Sequence, residues 1–182
     1  MSATQAMIGY IEARDHRLMR RVHRWPAPRW FRLWMICATR GGDGWLWYLL
    51  AGALFAAHGW EALPTVLTAM FAAGVGIAVF LALKRVTGRR RPCHMEPHCW
   101  STLLPPDRFS FPSGHTITAF AICVPVALYN PGLTPPLSVC AMSIAASRIA
   151  LGMHFLSDVV AGAAIGSVLG WAAYGLGAGR IM

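Results

Sequence analysis

Charge is scarce in this chain. Of its 182 residues 13% are charged and 56% hydrophobic, whereas a soluble domain carries roughly 25% charged residues. This balance excludes an ordinary water-soluble domain and predicts an integral membrane protein. Lysine is nearly missing, Lys84 being the only one, and acids number seven against sixteen Lys and Arg. After Asp107 the only acid is Asp158. The five cysteines include no CxxC pair, which argues against a zinc or thioredoxin-type site. Cys37, Cys123 and Cys140 fall in apolar segments and read as small packing residues. Cys93 and Cys99 share a polar loop and could either close a small disulfide in an oxidising compartment or stay free. A cleavable signal peptide is not expected, because the first thirty residues are amphipathic and arginine-rich with no continuous apolar core.

What the chain does have is apolar length. Runs at about 44–59, 64–83, 116–129, 137–151 and 155–179 approach or reach the ~20 residues a membrane helix needs. A sixth run at about 22–40 is crowded by Arg24, Arg29 and Arg32 and could lie partly in the interface. The expected fold is therefore all-α, a polytopic transmembrane bundle of five or six spans. Met7, Ile8, Ile11, Leu18 and Val22 recur among basic residues, so an N-terminal amphipathic interfacial helix is expected over 1–28, with residues 29–182 forming the membrane-embedded domain. Pro64 suits the first turn of a helix, and Gly74 and Gly76 would allow close helix contacts. GGDG at 41–44 breaks the chain before the aromatic WLWY, which suits a membrane interface.

The net charge of +9 is concentrated in seven arginines between Arg14 and Arg32 and in Lys84, Arg85, Arg89, Arg90 and Arg91. In a membrane protein such clusters set topology or meet anionic lipid rather than nucleic acid. The polar chemistry is confined to three segments: KRVTGRRRP at 84–92, PSGH at 112–115 and SRIALGMHFLSD at 147–158. Two expected crossings separate His115 from Arg148, so the chain returns to the same face and all three segments can meet at one surface. If the N-terminal arginines are cytoplasmic and there are six spans, the basic loop faces outward against the positive-inside tendency. Charges kept on the disfavoured side point to ligand binding.

Lys84 could simply snorkel, but with Arg91 seven residues on, a compact charge and a bidentate fork can converge on one dianion. In PSGH the amides of Ser113 and Gly114 would face an anion from a helix N-terminus. Pro-Ser-Gly is also an ordinary turn. His154 and Asp158 are four apart, which on a helix lets the carboxylate orient the ring and leaves the other nitrogen as a nucleophile. The alternative for Asp158 is a structural ion pair with Arg148. His94, Glu96 and His98 do not make a persuasive zinc site, and neither a metal nor a cofactor is expected.

The spacing K-x6-RP, PSGH and SR-x5-H-x3-D over roughly 44–178 resembles the type 2 phosphatidic acid phosphatase family, which includes the vanadium haloperoxidases. The resemblance implies that Lys84, Arg91 and Arg148 bind phosphoryl oxygens with help from Ser113 and Gly114. It further implies that His154 attacks phosphorus, Asp158 orients it, and His115 protonates the leaving oxygen and then activates water. The expected function is a metal-independent membrane phosphatase acting on a lipid phosphate or diphosphate at the outer face of a bacterial-type cytoplasmic membrane. A polyprenyl carrier is preferred over phosphatidylglycerol phosphate, phosphatidic acid or lipid A phosphate. A non-catalytic lipid-phosphate binder or transporter would use the same cations without His154 as nucleophile. A haloperoxidase reading has the membrane spans against it. The sequence leaves the oligomeric state open.

Overall fold

Proline and glycine set the helix boundaries. The computed structural model describes residues 3–94 and 108–178, which form α1 (Ala3–Arg24), α2 (Arg29–Gly41), α3 (Trp45–His58), α4 (Leu63–Thr87), α5 (Gly114–Tyr129), α6 (Thr134–Ala150) and α7 (Leu156–Ala178). Pro64 lies in the first turn of α4 and Pro135 in that of α6, where the missing N–H costs no helical bond. Gly88 ends α4 with φ +57° and donates its N–H to the Lys84 carbonyl at 3.3 Å. That left-handed cap is open to glycine at little cost, and it fixes Lys84 in the last turn of α4. Among the described residues there is no strand, only an isolated bridge between Arg90 and Phe109.

Central to the bundle is α5, packed between α4, α6 and α7. Its contact with α7 is a backbone approach made possible by glycines four apart. A Cβ built on Gly162 would lie 2.9 Å from the Ser113 carbonyl oxygen, and one on Gly166 would lie 2.4 Å from that of Ile117. On Gly170 it would lie 2.9 Å from Pro125 Cδ. This is the small-residue seam that membrane helices use in place of a hydrophobic driving force. Gly76 on α4 serves the same purpose against Ile117, whereas Gly74 has nothing within 4 Å of its would-be Cβ and faces a cavity instead.

Among the described residues, three helical stretches are long and apolar enough to cross a membrane: Trp45–Thr87, Pro131–Ala150 and Leu156–Gly177. The first, of 43 residues, contains both expected early spans, joined by a short 3-10 turn at Gly59–Ala62. Helix α5 is apolar but has only 16 residues. The run at 22–40 does not form one span: the chain breaks at Trp25–Pro28, and α2, with 13 residues, packs Met35 and Ile36 against Ala150, Leu151 and Met153. On α1, Met7, Tyr10 and Ile11 are exposed while Asp15 and Met19 are buried against the bundle. The open choice between a Cys93–Cys99 disulfide and free thiols, and the expectation that His94, Glu96 and His98 hold no zinc, turn on Cys99, Glu96 and His98, which lie outside the described residues.

Candidate active site

Backbone hydrogen bonds stitch the three polar segments together at one end of the bundle. Ser110 N–H donates to the Arg89 carbonyl (2.7 Å), Cys93 N–H to that of Gly152 (3.1 Å) and Ser113 N–H to that of Asp158 (3.1 Å). The last bond commits the Ser113 amide to the α7 turn. Ser113 itself is fully buried, its hydroxyl accepting from Thr116 (2.9 Å), so the expected pair of anion-facing amides does not form with this residue. Gly114 and His115 do line the cavity.

His154 sits in the turn before α7 rather than on a helix, and Gly152, with φ +68°, allows that turn. Its own N–H and that of Met153 both donate to the Arg148 carbonyl at 3.0 Å, which fixes the ring's root. Arg91 donates to the Met153 carbonyl (2.9 Å) and lies 3.0 Å from His154 Nε2. A guanidinium can only donate, so Nε2 presents its lone pair and the ring proton belongs on Nδ1. Nδ1 faces Asp158 Oδ2 at 3.7 Å. Burial pushes the His154 pKa down to about 3, with Asp158 opposing the shift and the charges of Arg148 and Arg91 adding to it. The ring is therefore neutral at ordinary pH, the state a nitrogen nucleophile requires.

Asp158 is held from two sides. Its Oδ2 accepts the Phe155 N–H (2.8 Å) and its Oδ1 accepts from Arg89 (2.7 Å). The ion pair expected as an alternative, Arg148 with Asp158, is replaced by Arg89 with Asp158. Arg148 is buried and donates instead to the Thr39 hydroxyl on α2. Lys84 is 9% exposed, with its Nζ 5.2 Å from the centre of the Phe80 ring.

Lys84, Arg91, Arg148, His115 and His154 line one cavity of about 640 Å³, and Asp43 is the one acid among the described residues that does so. Below this polar end the walls are apolar, with Trp47, Leu50 and Leu54 on α3 and Val66, Met70, Ala73, Ile77 and Phe80 on α4. The α4 wall from Val66 to Lys84 spans nineteen residues, about 27 Å of helix. His115 Nε2 lies 2.8 Å from Asp43 Oδ1. Since the carboxylate accepts, a neutral His115 carries its proton on Nε2, opposite to His154. Asp43 also lies 3.6 Å from Arg40.

Four residues that shape the site were not singled out in the sequence for that role: Asp43, Arg89, Asp15 and Thr39. Asp43 and Thr39 are too far along the chain from His115 and Arg148 for any spacing rule to pair them. Arg89 was visible as one of a basic run but carried no mark distinguishing it from Arg85 or Arg90. Asp15 shares its largely basic helix with a second acid, Glu12, so residue type alone did not mark it.

Fold and site together define a membrane-embedded helical protein that gathers three cations and two histidines at the end of an apolar cavity. Its residues 62–181 match the model of the PAP2 superfamily. The chain belongs to that superfamily and is a phosphatase. It is 34% identical over 146 residues to the decaprenylphosphoryl-5-phosphoribose phosphatase of Mycobacterium tuberculosis, covering 75% of this chain and 73% of that protein. A lipid A 1-phosphatase of Rhizobium etli is 37% identical over 93 residues, 49% of this chain and 39% of that one. The fold is shared with the transmembrane PAP2-type phosphatidylglycerolphosphate phosphatase of Bacillus subtilis, with TM-score 0.71, 23% identity and coverage of 92% and 86% of the two chains. It is likewise shared with Aquifex aeolicus LpxE, with TM-score 0.67, 26% identity and coverage of 86% and 92%.

Proposed function

We propose that this phosphatase hydrolyses a lipid phosphate through a covalent phosphohistidine on His154, without a metal, and that its substrate is of the polyprenyl phosphate class. The observation that carries the reading is the junction of two environments in one cavity. At one end stand Lys84, Arg91 and Arg148 beside the Nε2 lone pair of His154; from there an apolar wall runs along α4. A phosphoryl group fits the first environment and a long hydrocarbon tail the second. The preference for a polyprenyl tail is supported by the similarity to a phosphatase named for a decaprenylphosphoryl sugar.

In the first step Nε2 of His154 attacks phosphorus and the bond to the lipid oxygen breaks. Arg91, which donates toward Nε2, would transfer its N–H to the phosphoryl oxygens, and Lys84 and Arg148 would neutralise the remaining charge. The departing oxygen takes the Nε2 proton of His115. In the second step a water attacks the phosphohistidine, His115 accepts the proton of that water, and inorganic phosphate leaves with His154 restored. Phosphoryl transfer asks chiefly for positioning and charge stabilisation, which these groups supply.

The apolar length favours five crossings, α3 and α4 each counting as one, with residues 1–28 along the membrane surface and residues 29–182 as the embedded domain. Two crossings then separate residues 1–28 from the site, so both share one face, consistent with Asp15 meeting Arg89, and we place that face on the outer side of a cytoplasmic-type membrane. The test is phosphate release from polyprenyl phosphates and diphosphates, phosphatidylglycerol phosphate, phosphatidic acid and lipid A, by purified protein in detergent with a chelator, alongside His154→Ala. Release from the polyprenyl substrates that vanishes in the variant is expected. Release that needs added metal, or that survives in the variant, would overturn the mechanism.

A further inference from the structure

We infer that Asp15, on the N-terminal helix, is a positioning residue for catalysis: through Arg89 it holds the carboxylate of Asp158 against His154. The inference rests on His154 being the nucleophile.

The starting observation is that an acid occupies the inner face of α1. Asp15 is 4% exposed, one turn before buried Met19, in a helix whose earlier residues Met7, Tyr10 and Ile11 are exposed. A buried carboxylate needs a charge partner and hydrogen bonds, or it forces a neutral state. Asp15 has both, and every one of them leads to the His154 turn. Its Oδ2 accepts from Arg89 at 2.7 Å and from the Ser157 hydroxyl, and its Oδ1 accepts the Ser157 N–H at 3.1 Å. The same Arg89 gives its other terminal nitrogen to Asp158 Oδ1 and to Ser157 Oγ, each at 2.7 Å. One guanidinium thus bridges two carboxylates that come from opposite ends of the chain.

The arrangement is over-determined. The Arg89 guanidinium stacks over the Phe155 ring at 4.4 Å, and His16, next to Asp15, meets the same ring edge-on at 4.9 Å. Met19, one turn on from Asp15, is 1% exposed. The planar fork of Arg89 is therefore pinned by an aromatic face and by two acids, and its orientation is not free to follow Asp158.

The bridge has two effects on the nucleophile. It fixes the Asp158 carboxylate, whose Oδ2 faces His154 Nδ1, and so fixes the direction in which Nε2 points. It also divides the Arg89 charge between two acids. Without Asp15 the full charge would fall on Asp158, weakening it as the acceptor that stabilises a positive imidazole when Nε2 bonds phosphorus.

A rapid-quench pre-steady-state burst of the released alcohol, with substrate in excess of the full-length protein, separates positioning from folding, because burst amplitude counts competent sites and burst rate reports chemistry. A short-chain polyprenyl phosphate in detergent is the probe. Asp15→Asn keeps the shape and removes the charge, and about a tenfold slower burst is expected, with amplitude and KM held within twofold. Ser157→Ala, which removes a hydroxyl from the same bridge, is expected to act in the same direction by two- to threefold. Because both changes act through one unit, the double variant should be no slower than Asp15→Asn alone. An unchanged burst rate in both single variants, whether amplitude is kept or lost, would overturn the inference, as would effects that multiply. His154→Ala in the same experiment keeps the two questions apart: a burst that persists there sinks the phosphohistidine reading itself, not the bridge.

Discussion

The two histidines of the cavity, each beside a carboxylate, are built on opposite plans. His154 is 1% exposed, its carboxylate lies on the Nδ1 side at 3.7 Å, and Arg91 claims the Nε2 lone pair. His115 stands in the first turn of α5, its side chain 23% exposed, with its Nε2 proton directed at Asp43 2.8 Å away, a carboxylate 44% exposed. One ring is arranged to present an electron pair and the other to present a proton. Displacement at phosphorus followed by hydrolysis needs one of each, and the carboxylate's side of the ring decides which is which.

The contrast can be broken at several points, and the largest effect is expected at His154. On the mechanism proposed, His154→Ala removes the attacking nitrogen, and turnover should fall on the order of 10⁴-fold for every phosphate ester, good leaving group or poor. His115→Ala removes the proton donor, and kcat on a lipid phosphate should fall about 10³-fold. The first-step burst of phenol from an aryl phosphate, whose oxygen leaves without help, should slow far less in that variant than the burst from the lipid. Equal losses on both esters would erase the distinction between the two rings.

The distance between the histidines is set by the α5–α7 seam, which makes Gly166→Val the next probe. Its Cβ would lie 2.4 Å from the Ile117 carbonyl oxygen. Forcing the helices apart should cost about 1–3 kcal/mol by thermal or denaturant unfolding in detergent, with both chemical steps slowed together. Asp43→Asn should sharpen the comparison from the His115 side. It leaves the ring but loosens its proton's direction, and about a tenfold slower first-step burst on the lipid is expected, with little change in the burst on the aryl ester.

The smallest effect is a pH dependence of stability. His154 in the folded protein has its pKa pushed from 6.5 to about 3 by burial. Below pH 6.5 the unfolded chain binds a proton that the folded chain refuses, so this group's contribution is present above pH 6.5 and is lost as pH falls toward 3. The loss is on the order of 1 kcal/mol per pH unit. Melting temperature should therefore fall more steeply between pH 6.5 and pH 4 in the parent than in His154→Gln, and parallel curves would contradict it.

What the sequence makes legible here is the part encoded by composition and short spacing. The apolar runs foretell α3 to α7, and the three polar segments foretell which residues gather, because α5 and α6 bring the chain from His115 out and back to Arg148 at the same cavity. The helical pairing of His154 with Asp158 was near the mark: the four-residue spacing holds, but through a glycine-permitted turn leading into α7. Illegible were the partners joined only by tertiary packing. Asp43 reaches His115 across 72 positions, Thr39 reaches Arg148 across 109 and Asp15 reaches Ser157 across 142. No periodicity connects such pairs. The commitment of the Ser113 amide to the Asp158 carbonyl also depends on how closely the glycine seam lets α7 approach α5, which a motif cannot state.

The most direct test of the central claim is to look for the covalent intermediate. Protein turning over a polyprenyl phosphate with a chelator present is quenched in alkali, where a phosphohistidine survives, digested and read by mass spectrometry. A single phosphoryl group on the peptide that contains His154, built up at the burst rate and missing in His154→Ala, is the expected result. Steady turnover with no phosphate on His154, or with phosphate on another residue, would contradict the account.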